Sequence, residues 1–444
     1  MKDTIASIST ASGNGAIGIV RISGPRALDI ALKLFYCKKL TKDNIEPRKM
    51  YLGDFSSNKV KDSCLMVYFK APRSYTGEDM IEFQLHGGRF LCESVLQEIL
   101  NSGARLAENG EFSKLAFLNG KMSLDKAEGI IDLIEAESEQ EIRAGYELVK
   151  GRLFQTVSTI QNQLLEKIAL LEMTIDYPEH DDEPMVKSEV NNLLINIKEQ
   201  IENLLKNASF GKTIKNGVNV ALVGKTNVGK SSLLNSLLGE DRAIVTNIEG
   251  TTRDIVKESF VYKGVKFNFI DTAGIRNSDD LVEKIGIERS KKAMKSADVV
   301  LFVVDTSKQF DDEDKEIYNQ VKDFKHVVVL NKTDIKTKQV LPFDDFVEVS
   351  CVNNQGIENL KEKLYQDSIS LSSPNSLVLT NQRHIQALNE AHNNIEAISD
   401  ISNLSTDILA FELKRLWSIL GKITGVSENE KIIDEIFSRF CLGK

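Results

Sequence analysis

No apolar run in this chain of 444 residues approaches the ~18 to 20 that a membrane span requires. The first residues, MKDTIASIST, also lack a basic-then-apolar signal pattern, so the expectation is a cytosolic chain without membrane contact. Cysteine is scarce and scattered. Cys37, Cys64, Cys92, Cys351 and Cys441 are an odd number with no CxxC pair, which argues against disulfides, a zinc knuckle and a redox motif. Positive charge is not in excess: 56 Lys+Arg against 65 Asp+Glu leave a net −9, which argues against coating nucleic acid by bulk attraction. Residues 1–120 nevertheless hold 16 Lys+Arg against 13 Asp+Glu, so a local anionic ligand is allowed there. Internal repeats and low-complexity segments are missing too. What remains is an ordinary globular balance, 41% hydrophobic and 27% charged. A single core stops growing near ~250 to 300 residues, so two or three domains are expected.

Short β-rich runs, IGIVRIS (17–23), CLMVYF (64–69) and MIEFQL (80–85), alternate with Gly-rich turns and helical patterns over residues 1–120. That is the pattern of an α+β domain. From Lys121 the apolar residues step by three and four: Ala127, Ile131, Ile134, then Leu153, Val157, Ile160, Leu164, Ile168, Leu171. Tyr177-Pro178 and the acidic residues 179–183 interrupt this pattern before Val190, Leu193, Ile197, Ile201 and Leu204 resume it. GKTIKNG (211–217) reads as a polar hinge. Beyond it the β-branched runs VNVALV, KFNFI, DVVLFVV and HVVVL alternate with helical stretches, as in a parallel sheet. After SSPNS (372–376) the helical period returns with Leu409, Leu413, Leu416, Leu420 and Ile423. The reading is a multidomain α/β chain. An α+β N-terminal domain (1–120) is followed by an all-α helical domain in two parts (121–212 and 372–444), interrupted by a P-loop, Ras-like G domain (213–371). The two helical parts are expected to form one bundle, since neither has faces enough to bury its own stripe.

Gly224-Lys-Thr-Asn-Val-Gly229-Lys230-Ser231 fits GxxxxGK[ST], follows a strand and opens a helix. Its glycines let backbone N–H groups close around phosphates, and the helix N-terminus favours the anion. Lys230 would reach the β and γ phosphates, and Ser231 would ligate Mg²⁺. Asp271-Thr272-Ala273-Gly274 follows KFNFI; DxxG alone is common, but its order and distance from the P-loop suit the Mg²⁺ shell and the γ-phosphate. Asn331-Lys332-Thr333-Asp334 follows HVVVL. The Asp334 carboxylate can accept two hydrogens that guanine offers and adenine does not, which selects GTP. Gly250-Thr251-Thr252-Arg253-Asp254 is placed for a first switch, with Thr252 completing the Mg²⁺ shell. Val349-Ser350-Cys351 would supply backbone contacts to the base and is the least specific of the five elements. Ile275 stands where Ras-type enzymes carry the glutamine that orients the attacking water. The Asn227 side chain could hold a monovalent cation in place of an arginine finger. Glu283 could orient the water, although by composition alone it is a solvated helix residue.

With these residues assembled, the chain resembles the tRNA modification GTPase family MnmE (TrmE) over essentially its whole length. DTIASIST with GAIGIVRISGP, PRSYTGEDMIEFQLHGG, GEFSKLAFLNGKMSLDKAEGIIDLI, IDYPE, LTNQRH, ITG and IFSRFCLGK carry the likeness, in family order. The resemblance implies a tetrahydrofolate-binding N-terminal domain that dimerises, with 5-formyltetrahydrofolate or another reduced folate on Arg21, Glu82, Lys121 and Lys444. Arg and Lys suit the anionic glutamyl tail, and Glu82 suits the pterin N–H donors. It further implies GTP contacts from Asn227-Val228-Gly229-Lys230-Ser231-Ser232, Thr246-Asn247-Ile248-Glu249-Gly250-Thr251-Thr252, the DTAG and NKTD runs, and Ser350-Cys351. K⁺ falls on Asn227, Thr246, Ile248 and Thr251, general catalysis on Glu283, and a role in the modification on Cys441, for which a structural small residue weighs equally. The implied activity is a K⁺-activated GTPase that acts with the FAD-containing MnmG protein, in a heterotetramer or larger complex. It would install a (carboxymethyl)aminomethyl or aminomethyl group at C5 of the wobble uridine of certain tRNAs. A GTP-dependent ribosome-assembly or regulatory switch shares the G motifs but has no use for VRISGP, GEF with LNGK, or CLGK. A structural dimer with a degenerate nucleotide site is opposed by the intact Lys230, Ser231, Thr252, Asp271 and Asp334.

Overall fold

The structure is a computed structural model. It describes residues 3–443 apart from 39, 178–182, 240–257, 271–292, 336, 338–340, 369–377, 399–400 and 442. The chain divides into two compact units, one of Met1–Ile134, Tyr146–Asn191 and Glu396–Lys444, the other of Glu135–Gly145 and Asn192–Ile395.

In the first unit, β1 (Ile5–Ile8), β2 (Ile17–Ser23), β3 (Phe35–Tyr36), β4 (Met50–Ser56), β5 (Lys61–Phe69), β6 (Met80–His86) and β7 (Arg105–Leu106) form one sheet in the order β3-β4-β5-β6-β2-β1-β7. Only β1 and β7 run parallel. Alternation along β2 and β6 sorts the residues by face. Val20, Ile22, Ile81 and Phe83 are fully buried in a core shared with helices Ala27–Leu34 and Arg89–Asn101. Arg21 and Glu82, between them in sequence, fall on the opposite face as cross-strand partners. Helix Arg152–Asp176 packs along helix Thr406–Thr424. The expected stripes meet there: Leu153, Val157, Ile160, Leu164, Ile168 and Leu171 are buried, as are Leu409, Leu413, Leu416, Leu420 and Ile423. Each such side chain contributes roughly 1.5 to 3 kcal/mol by leaving water. Helix Glu430–Ser438 and the residues after it seat Phe437 and Phe440 against Leu124 and Ala127. Gly110 permits that approach, since a Cβ there would stand 2.1 Å from the Phe437 carbonyl oxygen.

In the second unit, β8 (Val218–Val223), β9 (Ser259–Tyr262), β10 (Val265–Ile270), β11 (Val299–Asp305), β12 (His326–Asn331) and β13 (Val347–Glu348) are ordered β13-β12-β11-β8-β10-β9. Only β9 runs antiparallel. Every residue of β11 is buried because helices cover both faces. Leu301 and Val303 face helices Lys230–Leu238 and Ile357–Ser368, while Val300, Phe302 and Val304 share a core with Val321 of helix Asp312–Val321. The first strand of this sheet, β8, lies between β10 and β11, so the strand order reverses there and opens a crevice at its carboxyl end.

Two expectations need correction. GKTIKNG is not a hinge but lies mostly within helix Ala208–Asn216. Ile214 is buried, and Gly211 sits so close to Leu379 that a Cβ would come within 1.9 Å of its carbonyl oxygen. Tertiary burial thus outweighs the polar composition. In helix Glu183–Leu205 the buried residue is Leu194 rather than Leu193, giving the stripe Val190, Leu194, Ile197, Ile201. Among the described residues no helix is long and apolar enough to cross a membrane, and no group of three His, Cys, Asp or Glu is arranged to hold a metal ion.

Candidate functional site

The loop between β8 and helix Lys230–Leu238 has a backbone that calls for residues tolerant of positive φ at three positions. Gly224, Asn227 and Gly229 take φ of 153°, 61° and 97°. The first and last positions favour glycine on steric grounds as well: a Cβ would lie 2.3 Å from the Val303 carbonyl oxygen at Gly224 and 2.3 Å from Asn331 Nδ2 at Gly229. The Lys230 ammonium donates back to the carbonyls of Gly224 (2.6 Å) and Lys225 (2.5 Å). Burial pushes its pKa down to about 8. Among the described residues no acid offsets the burial of Lys230, which thus stands at the helix N-terminus as a partly desolvated cation, the state an incoming phosphate relieves.

The NKTD motif is tied to this loop by its first two residues. Asn331, at the end of β12, donates through Nδ2 to the Val228 carbonyl (2.9 Å), and its Oδ1 accepts from Cys351 Sγ (3.3 Å). Lys332 donates to the Asn227 carbonyl (2.9 Å) and pairs with Asp305 Oδ2 (2.6 Å). Burial raises the Asp305 carboxyl, but Lys332 and Ser307 more than offset it, leaving the group below its ordinary range. Thr333 Oγ1 donates to the Val349 carbonyl (3.1 Å), and Asp334 Oδ1 accepts from Ser350 Oγ (2.7 Å). The Asp334 carboxylate is therefore oriented before any base arrives, with lone pairs left for a guanine edge. Burial pushes the Cys351 thiol up, so it remains a protonated donor at neutral pH.

Sequence reasoning missed two residues of this network. Asp305, the last residue of β11, anchors Lys332. Lys225, read only as a spacer in the glycine loop, forms ion pairs with Asp311 and with Asp314 (2.9 Å). The signal available was the acidic run Asp311-Asp312-Glu313-Asp314 opening a helix, but nothing local names its partner.

On the second face of the N-terminal sheet, Arg21 Nη2 pairs with Glu82 Oε1 at 2.8 Å. Its guanidinium lies over the rings of Tyr75 (5.5 Å) and Phe112 (5.6 Å). Arg21 Nη1 (3.4 Å) and Ser9 Oγ (3.0 Å) both donate to the carbonyl of Gly443, so the end of the chain is held beside β1 and β2. A Cβ on Gly443 would stand 2.1 Å from the Ile8 carbonyl oxygen. Lys121 is exposed just after helix Glu111–Leu118, with its Cε 3.3 Å from the Cβ position of Gly77. Cys441 is exposed. Val228 is buried, while Ser231 and Ser232 begin the helix after the loop. Thr246, Asn247, Ile248, Glu249, Gly250, Thr251, Thr252, Asp271, Thr272, Ala273, Gly274, Glu283 and Lys444 lie outside the described residues, as do Arg253, Ile275 and Arg276.

A glycine loop at the switch point of a sheet covered on both faces, joined to an Asn-Lys-x-Asp motif with a pre-oriented carboxylate, defines a guanine-nucleotide P-loop domain. Comparison with known proteins agrees. The family model described as GTP-binding protein TrmE N-terminus matches residues 4–121, and the MnmE helical domain matches residues 124–441. The tRNA modification GTPase MnmE of Streptococcus mutans serotype c is 41% identical over 453 residues, covering 100% of this chain and 99% of that one. Its counterpart in Streptococcus pyogenes serotype M5 is 40% identical over 454 residues, covering 100% and 98%. Among solved structures, the G domain of the T. maritima FeoB iron transporter is 26% identical with a TM-score of 0.26, covering 34% of this chain and 99% of that one. The chain belongs to the tRNA modification GTPase MnmE family and is a GTP hydrolase.

Proposed function

We propose that this protein is a K⁺-activated cytoplasmic GTPase that works as a homodimer with an FAD-containing MnmG-type partner on tRNA. The product is a wobble uridine carrying an aminomethyl or (carboxymethyl)aminomethyl group at C5. The observation that carries this reading is the meeting of Arg21, Glu82 and Gly443 of the CLGK run on one sheet face. A GTPase that only switches an assembly has no need of such a place.

The donor set there suits a reduced folate. Two aromatic rings flank an ion pair, with Glu82 to accept from pterin N–H groups and Arg21, Lys121 and Lys444 to meet the anionic tail. When bound, the folate would supply the one-carbon unit. Cys441, exposed two residues before Gly443, would act in the modification from the same chain end. In the nucleotide site Lys230 neutralises the phosphates, Asp334 selects guanine, and Ser231 with Thr252 would hold Mg²⁺. Asn227, whose carbonyl is already engaged by Lys332, keeps its side chain for K⁺ together with Thr246, Ile248 and Thr251. Glu283 would orient the water in place of the glutamine that Ile275 displaces.

Mass spectrometry of tRNA wobble uridines from a deletion strain tests this directly. The modified nucleoside should vanish on deletion, return with the intact gene, and stay absent with Arg21→Ala. Unchanged wobble uridines in the deletion strain refute the proposal.

A further inference from the structure

The main chain of the phosphate loop is anchored from two directions, and only one of them uses the guanine motif. Asn331 and Lys332 take the carbonyls of Val228 and Asn227. The other anchor is the side chain of Lys225, only 14% exposed, whose ammonium pairs with Asp311, with Asp314 Oδ2 at 2.9 Å and with Glu313 Oε2 at 3.7 Å. These acids are not free to follow the lysine. Asp311 caps helix Asp312–Val321, accepting from the amides of Glu313 (3.0 Å) and Asp314 (3.2 Å), while Asp314 Oδ2 accepts from the Asp311 amide (3.2 Å). Asp314 is 5% exposed, so its charge needs a partner where it is. The carbonyl of Lys225 is in turn one of the two acceptors of the Lys230 ammonium. A cavity of about 50 Å³, lined by Lys225, Thr226, Asp305 and Gln309 among others, lies beside the loop and leaves it room to shift if the pair is lost.

We propose that Lys225 is a positioning residue of the GTPase. Its ion pair to the start of helix Asp312–Val321 fixes the Lys225 carbonyl and, through it, the Lys230 ammonium, so that this helix sets nucleotide affinity from outside the nucleotide motifs. The Lys225 ammonium is committed to the carboxylates of Asp311 and Asp314, so it acts through the loop it anchors and its effect falls on binding rather than on the chemical step.

Steady-state GTP hydrolysis by the full chain at fixed KCl, with Lys225→Met, Lys225→Arg and Asp314→Asn, tests the assignment. Lys225→Met should raise KM for GTP about tenfold with kcat within about twofold, and should speed dissociation of a fluorescent GDP analogue by a similar factor. Lys225→Arg should restore KM to within about twofold. Asp314→Asn, which keeps the shape and removes the charge, should move KM in the same direction, and it carries the test should Lys225→Met fail to fold. An unchanged KM in Lys225→Met overturns the proposal. So does a fall in kcat alone, or a defect that Lys225→Arg does not repair.

Discussion

Lys230 offers a quantitative check on the phosphate site that needs no assumption about the switch loops. Burial lowers its pKa from 10.5 to about 8, so charging this ammonium in the nucleotide-free protein costs about 3 kcal/mol relative to water. Phosphates arriving beside it favour the charged form and should return the pKa to the ordinary lysine range. At pH 8 roughly half of the nucleotide-free molecules hold Lys230 neutral, so binding should take up about half a proton; at pH 7 the figure drops to about 0.1. Calorimetry of GDP binding at pH 8 in two buffers of different ionisation enthalpy reads this number directly. Affinity should also fall up to about tenfold per pH unit above pH 8, and Lys230→Met should abolish both the uptake and the pH slope. Stability carries the opposite sign. Because the folded pKa lies below the unfolded one, the unfolded chain binds more protons between pH 8 and 10.5, so the penalty from Lys230 is complete below pH 8 and fades as pH rises through that window. An enthalpy independent of buffer at pH 8, with affinity flat from pH 7 to 10, refutes the assignment of a desolvated phosphate-binding lysine.

Asp334→Asn should lower GTP affinity on the order of 100-fold and erase the preference for GTP over ATP, checked by competition against a fluorescent guanine nucleotide; retained selectivity would count against the reading of NKTD. Arg21→Ala should weaken 5-formyltetrahydrofolate binding while GTP turnover stays nearly intact, because Arg21 belongs to the first compact unit and the phosphate loop to the second. Undiminished folate affinity in calorimetry removes that site. GTP turnover should rise with KCl and little with NaCl at matched ionic strength, and Asn227→Ala should lose the K⁺ response while keeping most nucleotide affinity. Equal rates in the two salts would return Arg253 or Arg276 as the charge-neutralising group. Leu164→Ala, at a fully buried position between helices Arg152–Asp176 and Thr406–Thr424, should cost ~2 to 5 kcal/mol, seen as an earlier urea transition of the first unit with nucleotide affinity unchanged.

Local chemistry was legible wherever one short run carries both the backbone constraint and the reacting group. The phosphate loop is such a run: its glycines are needed at their φ angles and its lysine follows at once. NKTD is another, because a strand of buried β-branched residues delivers it to the carboxyl edge of the sheet. The helical stripes were legible for a similar reason, since a period of three and four residues already specifies a face. GKTIKNG was misread because its composition is polar while its folding is decided by two small contacts, Ile214 in a core and Gly211 against the Leu379 carbonyl.

The sequence by itself determined the order of domain types, the guanine-nucleotide motifs and the family, because each is written in contiguous residues whose spacing is their chemistry. Only the tertiary structure decided the partners. Arg21 meets Glu82, 61 residues away, because the antiparallel register of β2 and β6 places them opposite each other, and it meets Gly443, 422 residues away, because the chain end is laid against β1. Lys225 meets Asp311, 86 residues on, because β8 and β11 are parallel neighbours whose carboxyl ends bring the following loops together. Alternation and periodicity tell a side chain which face it occupies. Strand register and order, set by the burial of whole sheets, tell it what it will touch.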